Sequence, residues 1–491
     1  MKKNSIRKKI LMNFFINNGA TLVNFFLSLY IARIVLASEI GIFSIAAVLV
    51  GFAHVFRDFG VASFIRSQKE LTPQLLRASM GVMICSSWTF ALVVFSTSSF
   101  AAEYYGQPGI EAVMRVLALG FLFIPIGSIP QAVLSRSLDV KIQAIVTVIS
   151  VSVYAVTCIT LAKMGYSYMS FAWANFANIA VSAIAYSFLR PEGIPWLPSF
   201  AEWRSVVNFG AGTMLTNSIR AIDSALPDLI LGKLANAHSV GIFSRANSTV
   251  NMVSYIIAPT MNFFALPHLA KIHHEGKKIA HEIKRVVTYL TGIVWPVLAV
   301  VAVLPDDIIV FLYGKNWIEC ADVIPSLCAV CALQLTFSVF QPAFTGIGRP
   351  YLIAMPLVVS VFAKGMIAVF FFDGTLQSFA KAYLIGEILS MPLYFLLIRK
   401  IIGLSLVDWM EAVWPSAALA VFSYGSMFLL YPYLSYFDHL LFRLISAATF
   451  FLTIWIASVM LLKHPLSSEL MRVRRPFANR TISAKKAPLA D

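Results

Sequence analysis

Long apolar runs decide what this chain can become. Between residues 10 and 462 there are fourteen of them, each 17 to 27 residues long, separated by mostly short connections. About 20 apolar residues cross the hydrocarbon core of a bilayer. Lipid offers no water to peptide groups, so a span must close its own hydrogen bonds, as an α-helix does. The runs predict an all-α, polytopic membrane protein of about 14 transmembrane helices. Composition agrees: 59% of the 491 residues are hydrophobic and 12% charged, against roughly 25% charged in an ordinary soluble chain. Soluble enzymes and nucleic-acid-binding proteins fit this balance poorly, and the length leaves no room for a large soluble domain.

The formal charge of +15 reads as topology. The N-terminus and the connections after even-numbered runs hold 28 Lys and Arg, whereas the opposite connections hold only Lys163 and Lys315. Cytoplasmic loops collect Lys and Arg, so both termini are expected in the cytoplasm. The same cations attract anionic membrane lipids, and no nucleic acid is needed to explain them. The basic start, MKKNSIRKKI, leads into a run reaching Leu36, too long for the apolar part of a signal peptide. Cys328 and Cys331 form a lone CxxC inside a run, with no second pair and no nearby His, and read as small core residues. His54, His268, His273, His274 and His281 have no ligand spacing. No metal or cofactor is implied.

A shift of 200 residues places GIFS at 41–44 on GIFS at 241–244, and also matches Asn17 with Asn217, Ala37 with Ala237 and Val50 with Val250. Both segments fall in the first helical hairpin of their half, so the chain reads as a duplication. Two pseudo-symmetric six-helix lobes entering the membrane in the same sense make a parallel repeat, an arrangement that puts a cargo cavity between the halves. The expected organisation is an N-terminal lobe over 1–189, a cytoplasmic linker over 190–208 and a C-terminal lobe over 209–398. Runs 13 and 14 follow over 399–462, then a basic cytoplasmic tail over 463–491, expected to be disordered and drawn to lipid. In the linker, three prolines precede Phe200, Trp203, Val206 and Val207, which suggests a short helix lying on the inner surface.

Six charges lie deep inside runs: Arg220, Asp223, Asp228, Arg245, Lys364 and Glu387. A charge at the bilayer centre costs about 2.5–3.5 kcal/mol even on a lenient scale, so these side chains must face protein or water. Arg33, Arg115, Lys233, Lys381 and Arg443 lie nearer the ends and can snorkel. All six deep charges fall in the second half, and Arg220, Asp223 and Asp228 align with Ala20, Val23 and Ser28 of the first. A duplicated scaffold needs no charge there, which favours function. Arg220, Arg245 and Lys364 are the candidate cargo-binding cations, suited to a phosphate or pyrophosphate because arginine offers bidentate donors to such oxygens. Glu387, Asp223 and Asp228 are candidates to carry a coupling proton or sodium ion. The competing readings are internal neutralisation of Arg220 by Asp223, three residues apart on one face, and of Lys364 by Glu387.

RDFGVASFIRSQKE at 57–70 resembles the loop after the second helix of polysaccharide flippases. DLILGKLANAHSVGIFSRA at 228–246 is similar to a second signature of that family, and RVLALGFLFIPIGSIPQAVLSRSLDVK at 115–141 has its fourth-helix character. The likeness spans about residues 10–400 and points to the Wzx-type branch of the multidrug/oligosaccharidyl-lipid/polysaccharide exporter superfamily. That resemblance implies a multi-pass protein of the bacterial inner membrane, not an enzyme. Its expected role is to flip a polyprenyl-diphosphate-linked oligosaccharide, the repeat unit of an exopolysaccharide, O-antigen or capsule, from the inner to the outer leaflet. It also implies alternating access, partners in a polymerase and a chain-length regulator of the same pathway, and ion coupling. An antiporter for organic cations is the alternative within the superfamily. A membrane polymerase or glycosyltransferase is a weaker one, since Asp306–Asp307, the one adjacent acidic pair, is expected to be a solvated helix boundary.

Overall fold

A computed structural model describes residues 19–58, 60–68, 70–137, 140–254, 279–340, 343–344, 352, 354–434 and 436–468. The basic N-terminal start, the tail beyond 468 and the loop carrying His268, His273 and His274 lie outside the described residues. Every regular element among the described residues is helical. In chain order these are α1 (Gly19–Ala32), α2 (Ala37–Asp58), α3 (Val61–Ser67), α4 (Pro73–Tyr105), α5 (Gly109–Arg136), α6 (Val140–Lys163), α7 (Met169–Phe188) and α8 (Trp203–Leu234). Then come α9 (237–254), α10 (Ile279–Val303), α11 (Pro305–Tyr313), a 3-10 helix (Lys315–Asp322) and α12 (Ile324–Ser338). The last four are α13 (Ala354–Phe371), α14 (Leu376–Ile402), α15 (Leu406–Leu434) and α16 (Leu440–Leu461). Among the described residues nine are long and apolar enough to cross a membrane, ten if the bent pair Lys315–Asp322 and Ile324–Ser338 counts as one span. The protein is a multi-span membrane protein.

Helix boundaries follow local chemistry. The Thr72 hydroxyl accepts from the Leu75 amide with Pro73 in the first turn, starting α4, as an N-cap followed by proline should. Between α2 and α3 stands Gly60, whose φ of 63° lies in the left-handed region that glycine enters without steric cost. Two sequence expectations are corrected. Residues 203–207 do not form a separate interfacial helix: Trp203, Val206 and Val207 belong to the opening turns of α8, with Trp203 exposed and Val206 buried. The connection 305–322, expected as a loop, folds into α11 and the 3-10 helix, which seat Tyr313, Trp317 and Cys320 in the interior.

Two compact units divide the chain: Met1–Arg245 with Leu357–Phe379, and Ala246–Pro356 with Ala380–Asp491. Within the first, Val61, Phe64 and Ile65 of α3 are buried against Leu76, Val82 and Met83 of α4 and Ile129 of α5. The duplication is visible here as a reciprocal contact. A Cβ placed on Gly41 of α2 would lie 1.7 Å from the Ala237 carbonyl oxygen, and one placed on Gly241 of α9 would lie 1.9 Å from that of Ala37. Ser44 and Ser244 meet through their hydroxyls at 3.4 Å. Each contact joins residues that the 200-residue shift makes equivalent, as a local two-fold requires.

Within the second unit α10 packs along α15, with the Thr288 hydroxyl bonded to the Ala412 carbonyl and Thr291 to Ser416. The Trp455 indole donates to the Gly292 carbonyl, and the Trp295 indole to Thr336. Asp307 corrects another expectation. Asp306 is exposed, but Asp307 is buried and bonded at 2.8 Å to Arg443, which also donates to the Phe437 carbonyl. Burial raises the Asp307 carboxyl above its ordinary value, and the Arg443 guanidinium opposes that rise.

Candidate functional site

Five of the six deep charges belong to the first unit. Helix α8 carries Arg220, Asp223 and Asp228 along its second half, with Pro227 inside the helix. Lys364 enters from α13 and is 1% exposed; its ammonium is ion-paired with the Asp223 carboxylate. A Cβ placed on Gly365, next to it, would make only ordinary contact with the Leu226 side chain of α8. Asp223 is thus paired with a cation from another helix. That choice follows from burial, because an ammonium removed from water is stable only beside a compensating charge.

Arg245 on α9 is 8% exposed and follows Ser244, whose hydroxyl meets that of Ser44 on α2. Arg220 and Asp228 are half-buried. Glu387 belongs to the second unit, on α14, where it is 6% exposed and accepts a hydrogen bond from the Gln334 amide of α12 at 3.2 Å. Near the end of α8, Lys233 lies over the Tyr104 ring and donates to the Tyr104 carbonyl, a capped end position. Cys328 and Cys331 are buried in α12, and Cys331 meets the Ser254 hydroxyl at 3.3 Å. No cluster of metal-ligating side chains occurs among the described residues.

The first unit also holds a neutral feature. Asn24 and Ser28 of α1, Tyr154 of α6, and Asn175 and Asn178 of α7 line a cavity of about 300 Å³ in the first unit. The signal for it in the sequence is amides recurring inside runs where lipid-facing positions are apolar.

With this geometry in view, similarity to known proteins becomes informative. The family model described as polysaccharide biosynthesis protein matches residues 30–322, more than half of the chain. The lipopolysaccharide biosynthesis protein WzxC of Escherichia coli (strain K12) is 23% identical over 408 residues, covering 78% of this chain and 79% of the relative. The succinoglycan biosynthesis transport protein ExoT of Rhizobium meliloti (strain 1021) is 21% identical over 358 residues, 70% of each chain. Among solved structures, the lipid II flippase MurJ in an inward closed conformation matches with a TM-score of 0.73 at 12% identity, over 94% of this chain and 100% of that one. An inward-facing multidrug resistance MATE family transporter of the MOP superfamily matches at 0.62 with 15% identity, over 78% and 94%. At these identities the structures establish a shared transporter fold.

Proposed function

The chain belongs to the polysaccharide biosynthesis protein family, and from that premise we propose that it flips a polyprenyl-diphosphate-linked oligosaccharide from the inner to the outer leaflet of a bacterial inner membrane. The observation that carries the reading is the set of cations withdrawn from water in the helical body: Lys364 and Arg245 are buried on α13 and α9, and Arg220 is half-buried on α8. Arg220 aligns with Ala20 of the first copy, and cations withdrawn from water suit a diphosphate that must leave water. The relatives WzxC and ExoT are named for lipopolysaccharide biosynthesis and succinoglycan transport, and the fold is that of a lipid II flippase. Alternating access between two six-helix lobes, 1–189 and 209–398, would carry the head group past the midplane.

In this reading Arg245 and Arg220 take the diphosphate, and Lys364 joins them when cargo competes for its partner Asp223. Asp223, Asp228 and Glu387 carry the coupling proton or sodium ion that resets the carrier. Both termini face the cytoplasm, where the basic tail meets anionic lipid and pathway partners such as a polymerase and a chain-length regulator.

The test is flipping in vesicles. Purified protein in proteoliposomes should move a fluorescent polyprenyl-diphosphate oligosaccharide between leaflets, and Arg245→Ala should abolish this at normal reconstitution yield. Transport of organic cations in place of that lipid would favour the antiporter reading and sink this one.

A further inference from the structure

We propose that the neutral cavity between α1, α6 and α7 is a sugar subsite, receiving the uncharged saccharide next to the diphosphate; this rests on the flipping reading above. The cavity of about 300 Å³ is of the size that holds a small ligand. Its polar lining consists of the amides of Asn24, Asn175 and Asn178, the hydroxyls of Ser28 and Tyr154, and the Cys158 thiol. A second cavity, of about 230 Å³, lies between α5, α6 and α7 and shares Asn178 with the first. It adds Ser128, Gln131, Thr147, Ser150 and Ser182. Among the described residues neither lining contains a carboxylate, an amine or a guanidinium.

That chemistry selects a class of ligand. Carboxamides and hydroxyls offer donors and acceptors together, which matches adjacent sugar hydroxyls and gives nothing to a phosphate or an organic cation. The aromatic rings of Tyr154 and Phe171 in the first lining and Tyr186 in the second supply apolar faces for the C–H side of a pyranose. Polar side chains between membrane helices can also serve as glue, but glue is internally satisfied. Here the Ser128 hydroxyl is buried with no hydrogen-bond partner among the described residues. Asn178 spends one amide hydrogen on the Ser150 carbonyl at 2.9 Å and keeps its other hydrogen and oxygen available by valence.

Position completes the argument. Phe171 of the lining stacks on Phe43 of α2, whose neighbour Ser44 meets Ser244 of α9, next to Arg245, so a diphosphate on Arg245 would place its first sugar toward this lining. The duplication points the same way. Ser28 lines the neutral cavity and aligns with Asp228, while Asn24 aligns with Ser224. At the first of these positions the first copy has a neutral hydroxyl where the second has a carboxylate, and at the other both are neutral, which divides sugar from coupling ion.

The experiment is equilibrium binding to the full chain in nanodiscs. The probes are undecaprenyl diphosphate alone, and the same lipid carrying a single hexose or a single N-acetylhexosamine. At least one sugar-bearing lipid should bind the wild type about tenfold more tightly than the bare lipid, the yield of two or three neutral hydrogen bonds. Asn175→Leu, close in shape to the amide, should erase that gain and leave bare-lipid affinity unchanged, whereas Arg245→Ala should weaken both. Should Asn175→Leu fail to fold, Ser28→Ala tests the same wall with a smaller change and should lose part of the gain. Equal affinity of the wild type for bare and sugared lipids would overturn the subsite while leaving the flipping reading in place. So would equal weakening of both lipids by Asn175→Leu or Ser28→Ala. Absence of wild-type binding to every one of the lipids would overturn the flipping reading and the subsite together.

Discussion

Lys364 is 1% exposed and can stay charged in an apolar helix because Asp223 reaches it. Removing one member of such a pair strands the other, at about 3–5 kcal/mol, whereas replacing both with neutral groups is often tolerated. Lys364→Met should therefore sharply lower the melting temperature of the detergent-solubilised protein, and Lys364→Met with Asp223→Asn should restore most of it. If Lys364 also meets cargo, the stable double variant should still fail to flip lipid; full activity would leave the lysine a purely structural role. His464 gives a second residue-scale prediction. Its ring is wholly buried; Nδ1 accepts from the Leu466 amide at 3.2 Å and Nε2 faces the Ser416 hydroxyl at 3.2 Å. Burial lowers its pKa from 6.5 to about 4. The unfolded chain takes up a proton below about 6.5 that the fold refuses, so stability falls as pH drops from 6.5 towards 4 and is constant in this respect above that window. A melting-temperature series between pH 7 and pH 5 should show the loss, and His464→Gln should flatten it. The deep charges were legible in the sequence because each violates the apolar pattern of its run. The partner of Lys364 was not, since 141 positions separate it from Asp223 and periodicity carries no information across such a gap.

At the scale of elements, the sharpest constraint is the crossing of α2 and α9. Gly41 and Gly241 each face a carbonyl of the other copy at a distance no side chain could occupy. Backbone cannot yield as a side-chain tip can, so Gly41→Ala and Gly241→Ala should each force the helix starts apart, at about 1–3 kcal/mol for an overpacked contact. Because the two contacts are equivalent and adjacent, the double variant should cost less than the sum of the singles; strict additivity in thermal denaturation would mean that they relax independently. The GIFS repeat made this pairing findable, since a motif copied at one spacing marks positions related by the duplication. The short helices were less legible. Pro305 and the adjacent acids look like a loop, yet the same residues suit a helix start, where proline is accommodated in the first turn and acids favour the N-terminus. In α8, the prolines before Trp203 drew attention to an interfacial segment, but nothing in residues 203–207 stops a helix, and the chain runs on through Leu234.

For the whole molecule, the distribution of charge makes predictions that no single contact does. The imbalance of 28 Lys and Arg against Lys163 and Lys315 should fix orientation in the membrane. Reporter fusions after Gln107 and Lys315 should read outside, and those after Arg136 and Lys277 inside; reversal at two of the four would remove the topology. Orientation then sets the sign of the energetics. A diphosphate head group carries about two negative charges, and a membrane negative inside favours outward movement by about 2.3 kcal/mol per charge per 100 mV. The leaflet ratio of flipped lipid should therefore move more than about a thousandfold for 100 mV if the head group crosses as a dianion. Potassium diffusion potentials of either sign, imposed on proteoliposomes carrying one orientation of the protein, measure this directly. An inside-negative potential should raise accumulation in the outer leaflet and the reverse should suppress it. Indifference to potential would mean that coupling ions travel with the cargo and cancel its charge. In that case Glu387→Gln, which removes a carboxylate held by Gln334, should restore the voltage dependence if that carboxylate is the carrier of the cancelling ion.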